Sequence, residues 1–419
     1  MATFEGRQAE MPPADIQPLD VIYFDAGGMF AHEGFTSGLL IIIREILRAF
    51  ARKQMSVGVF STVDIGRVRF PDTAAPGIRV RTEAGLGVNE KIFGPDQVRQ
   101  VDHVHRETTT ILRRIAPKFI VMNSPAVFLS EIDVLYRKWA NETGAEVIHV
   151  VADHLFPTQQ SHEARMVSRL YQEMRKGAAI SLTDSIETKF YNASGITSAR
   201  FKNPFVLDEV VASRPDANSC RRVGMVNLHP IKGRAIFHGI ARRMPDLDFL
   251  IAKNWPDIDE YGQGPSNVTV AEFFQEPRDF YQEISVLLVP SLHEDGPTRV
   301  VIEAMLNCIP VVANRIGSIP DAGEDNALFI EPPEILGFEL NGDVLVPRLE
   351  QGSLDRCVGD YCRAIELAMS RPTSISDQVE RAHAMALSYV GDARRTLERL
   401  VERWIEVRNP AGGDRRMPV

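Results

Sequence analysis

The sequence predicts an α/β protein of two successive domains, each a parallel sheet wrapped by helices. Three observations carry this. The chain opens with an apolar strand pattern, Asp20 to Phe24 (DVIYF), which runs into Asp25-Ala26-Gly27-Gly28 and then into a helical segment. A strand of the same kind restarts at Arg222 to Val226 (RVGMV), after a polar, proline-containing stretch. Leu287 to Gly317 (LLVPSLHEDGPTRVVIEAMLNCIPVVANRIG) then reads as strand, polar loop, helix and strand. Short apolar runs alternating with helical periods are the pattern of parallel sheets covered on both faces, and in such sheets ligands bind at the carboxyl ends of the strands.

In the first domain, Ser37 to Lys53 places Leu39, Leu40, Ile43, Ile46, Leu47 and Phe50 on one helical face, with Ser37 as N-cap. Val57 to Ser61 is the next strand, and residues 64–95 form an excursion rich in Gly, Pro and Arg with at least one short strand, Ile78 to Arg81. A helix over about Asp96 to Ile115 precedes the strand Lys118 to Met122, and a helix over Ser130 to Thr143 precedes the strand Glu146 to Val151. That strand ends at Ala152-Asp153-His154; a helix over Ser161 to Arg175 follows, then the strand Ala178 to Leu182 and a loop beginning Thr183-Asp184-Ser185.

The polar segment Asp208 to Asn218 reads as a linker. Beyond it come the strand at 222–226, the loop Asn227 to Gly233, the helix Arg234 to Met244, the strands Asp248 to Ala252 and Asn267 to Val270, and a helical turn or two at Pro277 to Glu283. The end of the chain reads as three helices, Ser353 to Met369, Ser376 to Ser388 and Asp392 to Val407. The expected boundaries are a tail at 1–18, a first domain at 19–206, a linker at 207–221, a second domain at 222–375, C-terminal helices at 376–407 that return to the first domain, and a tail at 408–419.

Bulk properties narrow the function. At 419 residues two domains are the default. A net charge of −9 and a pI near 5.7 argue against a nucleic-acid binder, which needs a surplus of Lys and Arg. The four cysteines, Cys220, Cys308, Cys357 and Cys362, lack the close pairing of a disulfide framework or a zinc site, so reduced thiols in a cytoplasmic setting are expected. The first residues lack a basic region followed by an apolar core, so no secretory signal is expected, and the longest apolar run, Gly38 to Ile43, is far short of the roughly 18 residues of a membrane span. A peripheral contact at the inner membrane face stays open.

The chemistry concentrates in two loops of the second domain. Glu303 lies within about the first turn and a half of its helix, where its carboxylate can accept two ribose hydroxyls, while backbone N–H groups at the helix start can receive a diphosphate. Lys232 stands at a helix start, an unfavourable place for a cation unless it meets an anion. Gly27 and Gly28 let backbone approach a phosphate closely because neither has a Cβ. No Ser or Cys nucleophile with an adjacent base is evident, and the contiguous His293-Glu294-Asp295 does not converge on one ion, so metal-independent chemistry with no cofactor is expected.

The stretch PSLHEDGPTRVVIEAMLNCIPVVANRIGSIPD resembles the donor-binding signature of retaining GT-B glycosyltransferases of the family 4 type (glycosyl transferases group 1), and VGMVNLHPIKG resembles the family's strand and phosphate-binding loop. The resemblance extends in order of parts over about residues 19 to 405. It implies two Rossmann-like domains facing across a cleft, a nucleotide diphosphate sugar as donor, and an acceptor that is a glycan, a lipid-linked or a small molecule. It further implies catalytic roles for His154, Lys232 and Asp295, with His154 near the reacting sugar. Donor contacts would come from Gly27, Gly28, Asn227, Lys232, Glu294, Asp295, Gly296, Pro297, Thr298, Arg299, Val300 and Glu303. Departures fall inside the signature: Asp295 replaces the usual Glu, with Glu294 beside it; Pro297 stands where an aromatic is common; Thr298 stands where Gly is usual; and Asn227 replaces the Arg that accompanies the phosphate-binding Lys. Arg299 is the residue expected to compensate at the diphosphate.

Three other readings are open. A nucleotide-sugar epimerase of the same fold would need added acid/base carboxylates. A non-catalytic nucleotide-sugar-binding module would follow if Asn227 and Thr298 mark lost chemistry. A nicotinamide enzyme is least favoured, because the first turn lacks a full G-x-G-x-x-G.

Overall fold

The computed structural model describes residues 18–25, 38–63, 77–84, 87–93, 112–123, 131–152, 164–213, 222–253, 264–271, 274, 276–294, 298–323, 325–341 and 344–408. The chain divides into two compact units, the second containing everything from Ile180 onward together with residues 35–42 and 151–156.

The first sheet is built from β1 (Val21–Asp25), β2 (Val57–Val63), β3 (Gly77–Ala84), β4 (Gly87–Phe93), β5 (Phe119–Asn123), β6 (Glu146–Val151), β7 (Ala178–Ser181) and β8 (Ala199–Arg200). Its order is β4-β3-β2-β1-β5-β6-β7-β8. Val21 to Phe24 are wholly buried because β1 runs parallel to β2 on one side and to β5 on the other. The excursion at 64–95, expected to hold at least one short strand, contains β3 and β4: β3 turns back on β2, and β4 on β3, both antiparallel. The helices are α1 (Gly38–Arg52), α2 (Glu131–Glu142), α3 (Ala164–Met174) and α4 (Asp184–Ser194), and residues 112–115 are the described part of the helix expected to end at Ile115.

The stretch opening at Thr183 is a helix, α4, and not the loop expected there. Thr183 is its N-cap: extended at φ −145°, it accepts the Ile186 N–H on its hydroxyl at 3.2 Å, and Asp184 and Glu187 fall in the first turn. Both features favour a helix start. Gly195, at φ 65°, closes the other end.

The second sheet contains β9 (Val223–Val226), β10 (Phe249–Ala252), β11 (Val268–Ala271), β12 (Val286–Val289), β13 (Val311–Asn314) and β14 (Leu328–Ile330), ordered β11-β10-β9-β12-β13-β14. All five pairings are parallel. Counted from its own first strand this is the 3-2-1-4-5-6 order of a dinucleotide-type fold, with the switch point between β9 and β12. Its inner strands β10, β12 and β13 are buried throughout, whereas the edge strands β11 and β14 are only half-covered.

Helices cover both faces. On one, α5 (Leu207–Val210), α7 (Pro277–Gln282), α8 (Arg299–Leu306) and the long C-terminal helix meet a core that includes Phe280, Tyr281, Val301, Met305, Ala382 and Ala386. On the other, α6 (Arg234–Arg243) and α10 (Gln351–Ser370) enclose Ile236, Phe237, Val358 and Tyr361. The short α9 (Ile319–Gly323) precedes β14, and a two-stranded antiparallel hairpin, β15 (Ile335–Asn341) with β16 (Val344–Leu349), follows it.

The two helices expected at 376–388 and 392–407 are one, α11 (Thr373–Arg408), 36 residues long. Gly391 does not break it, because a single glycine inside a helix costs only about 1 kcal/mol, and Ala386, Val390, Ala393 and Leu397 continue one buried stripe across it. Along α11 the Tyr389 hydroxyl accepts the Asn203 N–H at 2.9 Å, its ring stands edge-on to Phe205, and Asp392 pairs with Lys202 at 3.3 Å. The helix thus holds the segment that follows β8. No helix among the described residues is long and apolar enough to cross a membrane.

Candidate functional site

The described part of the expected donor site lies within the second unit, at the carboxyl ends of β9 and β12 on either side of the switch point. The two strands are parallel neighbours, so the loops that leave them emerge side by side.

After β9 the chain turns at Asn227, whose φ is 66°, a left-handed conformation that Asn adopts more readily than other side-chain-bearing residues. Its Oδ1 accepts the His229 N–H at 3.0 Å. The position is therefore a turn-former, and a long Arg there would lose this local hydrogen bond. His229 in turn caps a 3-10 turn, Pro230–Lys232, by accepting the Ile231 N–H on Nδ1 at 3.3 Å. Burial, then Lys232, Arg234 and His293, push the His229 imidazole down to about 4, so it is neutral at pH 7. Lys232 closes this turn and is only half-buried; Gly233, with φ 95°, then starts α6.

The loop after β12 is fastened to the first one. The Leu292 N–H donates to the Ile231 carbonyl at 2.8 Å, and the Ser291 carbonyl accepts from Asn314 Nδ2 at 2.9 Å. The Tyr361 hydroxyl donates to Asn314 Oδ1 at 3.0 Å. Glu294 is exposed and pairs with Lys189 of α4. Thr298 caps α8 without using its side chain, and Val300 is half-buried beyond it.

Glu303 is 6% exposed and so belongs to the interior. A buried carboxylate must be paired, and here each oxygen has a partner: Tyr281 donates its hydroxyl to Oε2 at 2.9 Å, and Arg299 Nε lies 3.3 Å from Oε1. Arg299 is equally enclosed, at 8% exposure. It donates through Nη1 to the Pro204 carbonyl at 2.6 Å, and its guanidinium lies over the Phe205 ring, 4.1 Å from the centroid. Those contacts turn the guanidinium toward the 204–205 segment, which is structural work rather than the diphosphate contact expected of it.

The structure thus brings Asn227, Lys232, Glu294, Thr298, Arg299, Val300 and Glu303 onto two neighbouring loops and the helix that follows them. Gly27, Gly28, His154, Asp295, Gly296 and Pro297 lie outside the described residues. Sequence reasoning missed Tyr281, Asn314 and Lys189. A tyrosine in a short helix and an asparagine ending an apolar strand were the available signals, since a buried Tyr hydroxyl or Asn amide requires a partner. Among the described residues no group of three or more His, Cys, Asp or Glu is placed to hold a metal ion.

Sucrose-phosphate synthase from Thermosynechococcus elongatus superposes with a TM-score of 0.66 at 12% identity, covering 95% of this chain and 100% of that one. HepE of Anabaena, solved in complex with UDP-glucose, gives 0.61 at 13% identity over 93% and 99%. TarM gives 0.57 at 11% identity over 93% and 99%. With the two Rossmann-like sheets, these likenesses establish the GT-B fold. Residues 234–338 match the family model for glycosyl transferases group 1. The matched range lies in the second unit and contains α8 and Glu303. No curated protein matches the chain.

Proposed function

We propose that the protein is a retaining glycosyltransferase of the family 4 type, which moves a sugar from a nucleotide diphosphate sugar to an acceptor hydroxyl. One observation carries the reading. Within a stretch that matches glycosyl transferases group 1, a buried carboxylate, Glu303, sits on the first turns of the helix leaving β12, beside the Lys232 loop at the switch point of the sheet. This is where a nucleotide lies in a sheet of this order.

In this reading Glu303 accepts the ribose hydroxyls, and Lys232 with the α8 first-turn amides receives the diphosphate. Asn227 shapes the loop beneath it. The bond from the sugar's anomeric carbon to the phosphate oxygen breaks, the acceptor oxygen bonds the same carbon from the same face, and the acceptor proton passes to the departing phosphate. Glu294 is engaged by Lys189, which favours Asp295 as the carboxylate near the sugar. For His154, Gly27 and Gly28 the sequence resemblance implies roles near the reacting sugar and at the donor. The reading requires neither metal nor cofactor. HepE, solved with UDP-glucose and with UDP and glucose, supports a donor of this chemical type. Cys308, Cys357 and Cys362 are free thiols, which suits work in the cytoplasm.

The second reading, a binding module without turnover, draws on Asn227, which removes one cation from the phosphate loop. Mass spectrometry of nucleotide sugars incubated with the protein, with and without cell extract, separates the two. Extract-dependent release of nucleoside diphosphate together with a glycosylated product supports transfer. Donor that binds but stays intact under all conditions contradicts it. Conversion of the donor to an isomeric sugar nucleotide without extract would instead indicate an epimerase.

A further inference from the structure

We propose that Tyr281 and Arg299 are positioning residues for the Glu303 carboxylate, and that together they set its selectivity for an intact ribose diol; this rests on the donor-site reading above. The two side chains reach Glu303 from different directions, and each is itself fixed. Tyr281 comes from α7, 22 residues earlier in sequence, and is almost wholly buried in the core beneath α8. Burial, and then the charge of Glu303, hold its hydroxyl well above the usual range, so it stays protonated and can only donate to the carboxylate. Arg299 lies one helical turn before Glu303 on the same helix and is anchored beyond it by the Pro204 carbonyl and the Phe205 ring.

The arithmetic of lone pairs gives the consequence. An ionised carboxylate offers about four acceptor sites, two per oxygen. Tyr281 takes one on Oε2, while Arg299 faces Oε1 as a charge at 3.3 Å without a hydrogen bond, so acceptor sites remain on both oxygens. Two acceptors held side by side match two adjacent hydroxyls, whereas a carboxylate free to rotate would satisfy one hydroxyl nearly as well as two. Because the side chain is only 7% exposed, the remaining acceptors open on a narrow approach. The pair thus converts a generic acid into a reader of vicinal diols.

The test compares UDP, ADP and GDP with their 2′-deoxy counterparts by calorimetry on the parent protein, Tyr281→Phe and Arg299→Lys. Phe keeps the ring and removes only the hydroxyl; Lys keeps the cation and removes the Nε contact. The parent should prefer the ribonucleotide. Each variant should bind it about tenfold more weakly, with affinity for the deoxy form nearly unchanged, so that the ribo-to-deoxy ratio collapses. Thermal unfolding of each variant checks that it is folded, and if one is not, the other still reads the ratio. A role confined to packing would lower the melting temperature and leave the ratio at the parent's value; that result overturns the proposal while leaving the donor site intact. Failure of the parent to bind any of the six nucleotides overturns the donor-site reading and this inference with it.

Discussion

The main chain of Pro290 presses against Gly233 so closely that a β-carbon there would stand 2.8 Å from the Pro290 carbonyl carbon, which locks the loop after β9 to the loop after β12. Gly233 also has φ 95°, a conformation that side-chain-bearing residues rarely adopt. Gly233→Ala should therefore lower the unfolding free energy by about 2–5 kcal/mol, from backbone strain and overpacking together. Urea denaturation measures it. A loss under about 0.5 kcal/mol, the size of an ordinary surface change, would show that the loops are not locked.

Asn227 yields a prediction that runs against family resemblance. Restoring the usual residue with Asn227→Arg would appear to add a cation for the diphosphate. Because the position is left-handed and its side chain holds the His229 N–H, the substitution should instead cost about 1–2 kcal/mol of stability. It should give no gain in affinity for nucleoside diphosphates. Tighter binding in a calorimetric titration would show that the missing cation, and not the turn, governs this loop.

Lys232→Ala isolates the phosphate contribution. Affinity for nucleoside diphosphates should fall about tenfold or more, the scale of one charge-assisted contact. Affinity for the parent nucleoside should stay the same. An equal loss for both ligands would mean that Lys232 shapes the loop rather than meeting phosphate.

The histidines make stability depend on pH. Burial lowers His149 well below 6.5, burial and neighbouring cations lower His229 to about 4, and burial with Arg242 and Arg234 lowers His238. Each takes up its proton at a lower pH when folded than when unfolded, where it does so near pH 6.5. Below that pH the unfolded chain binds more protons, so stability falls as pH drops from about 6.5 toward 4. His229→Asn keeps an acceptor for the Ile231 N–H and removes one titrating group. The fall in urea midpoint over that window should be smaller in the variant, and an identical fall would remove His229 from the account.

Much of the fold was legible because it is local. Apolar runs such as Leu287 to Val289 and the helical stripe of Leu47 and Phe50 announce themselves within a few residues. Where the reading failed, a nearby signal competed with a longer one. Thr183-Asp184-Ser185 looked like a loop because Thr, Asp and Ser favour both turns and helix starts. The break expected between Ser388 and Asp392 is overridden by the continued apolar stripe. The hairpin at 335–349 was hidden because Gly337 and Pro347 interrupt its alternation. In the site, the contiguous signature pointed to Glu303 and Lys232. Its supports were not legible: Pro204 lies 95 residues before Arg299, and Lys189 lies 105 before Glu294. Sequence spacing carries no information about contacts made only when the chain folds.

The Glu303 and Lys232 loops are proposed to hold a nucleotide diphosphate sugar. Calorimetric titration of the purified protein with a panel of such donors decides this. Saturable one-to-one binding of at least one donor is expected, and its loss in Glu303→Ala with the fold retained. No binding across the panel, or undiminished binding by Glu303→Ala, would contradict it.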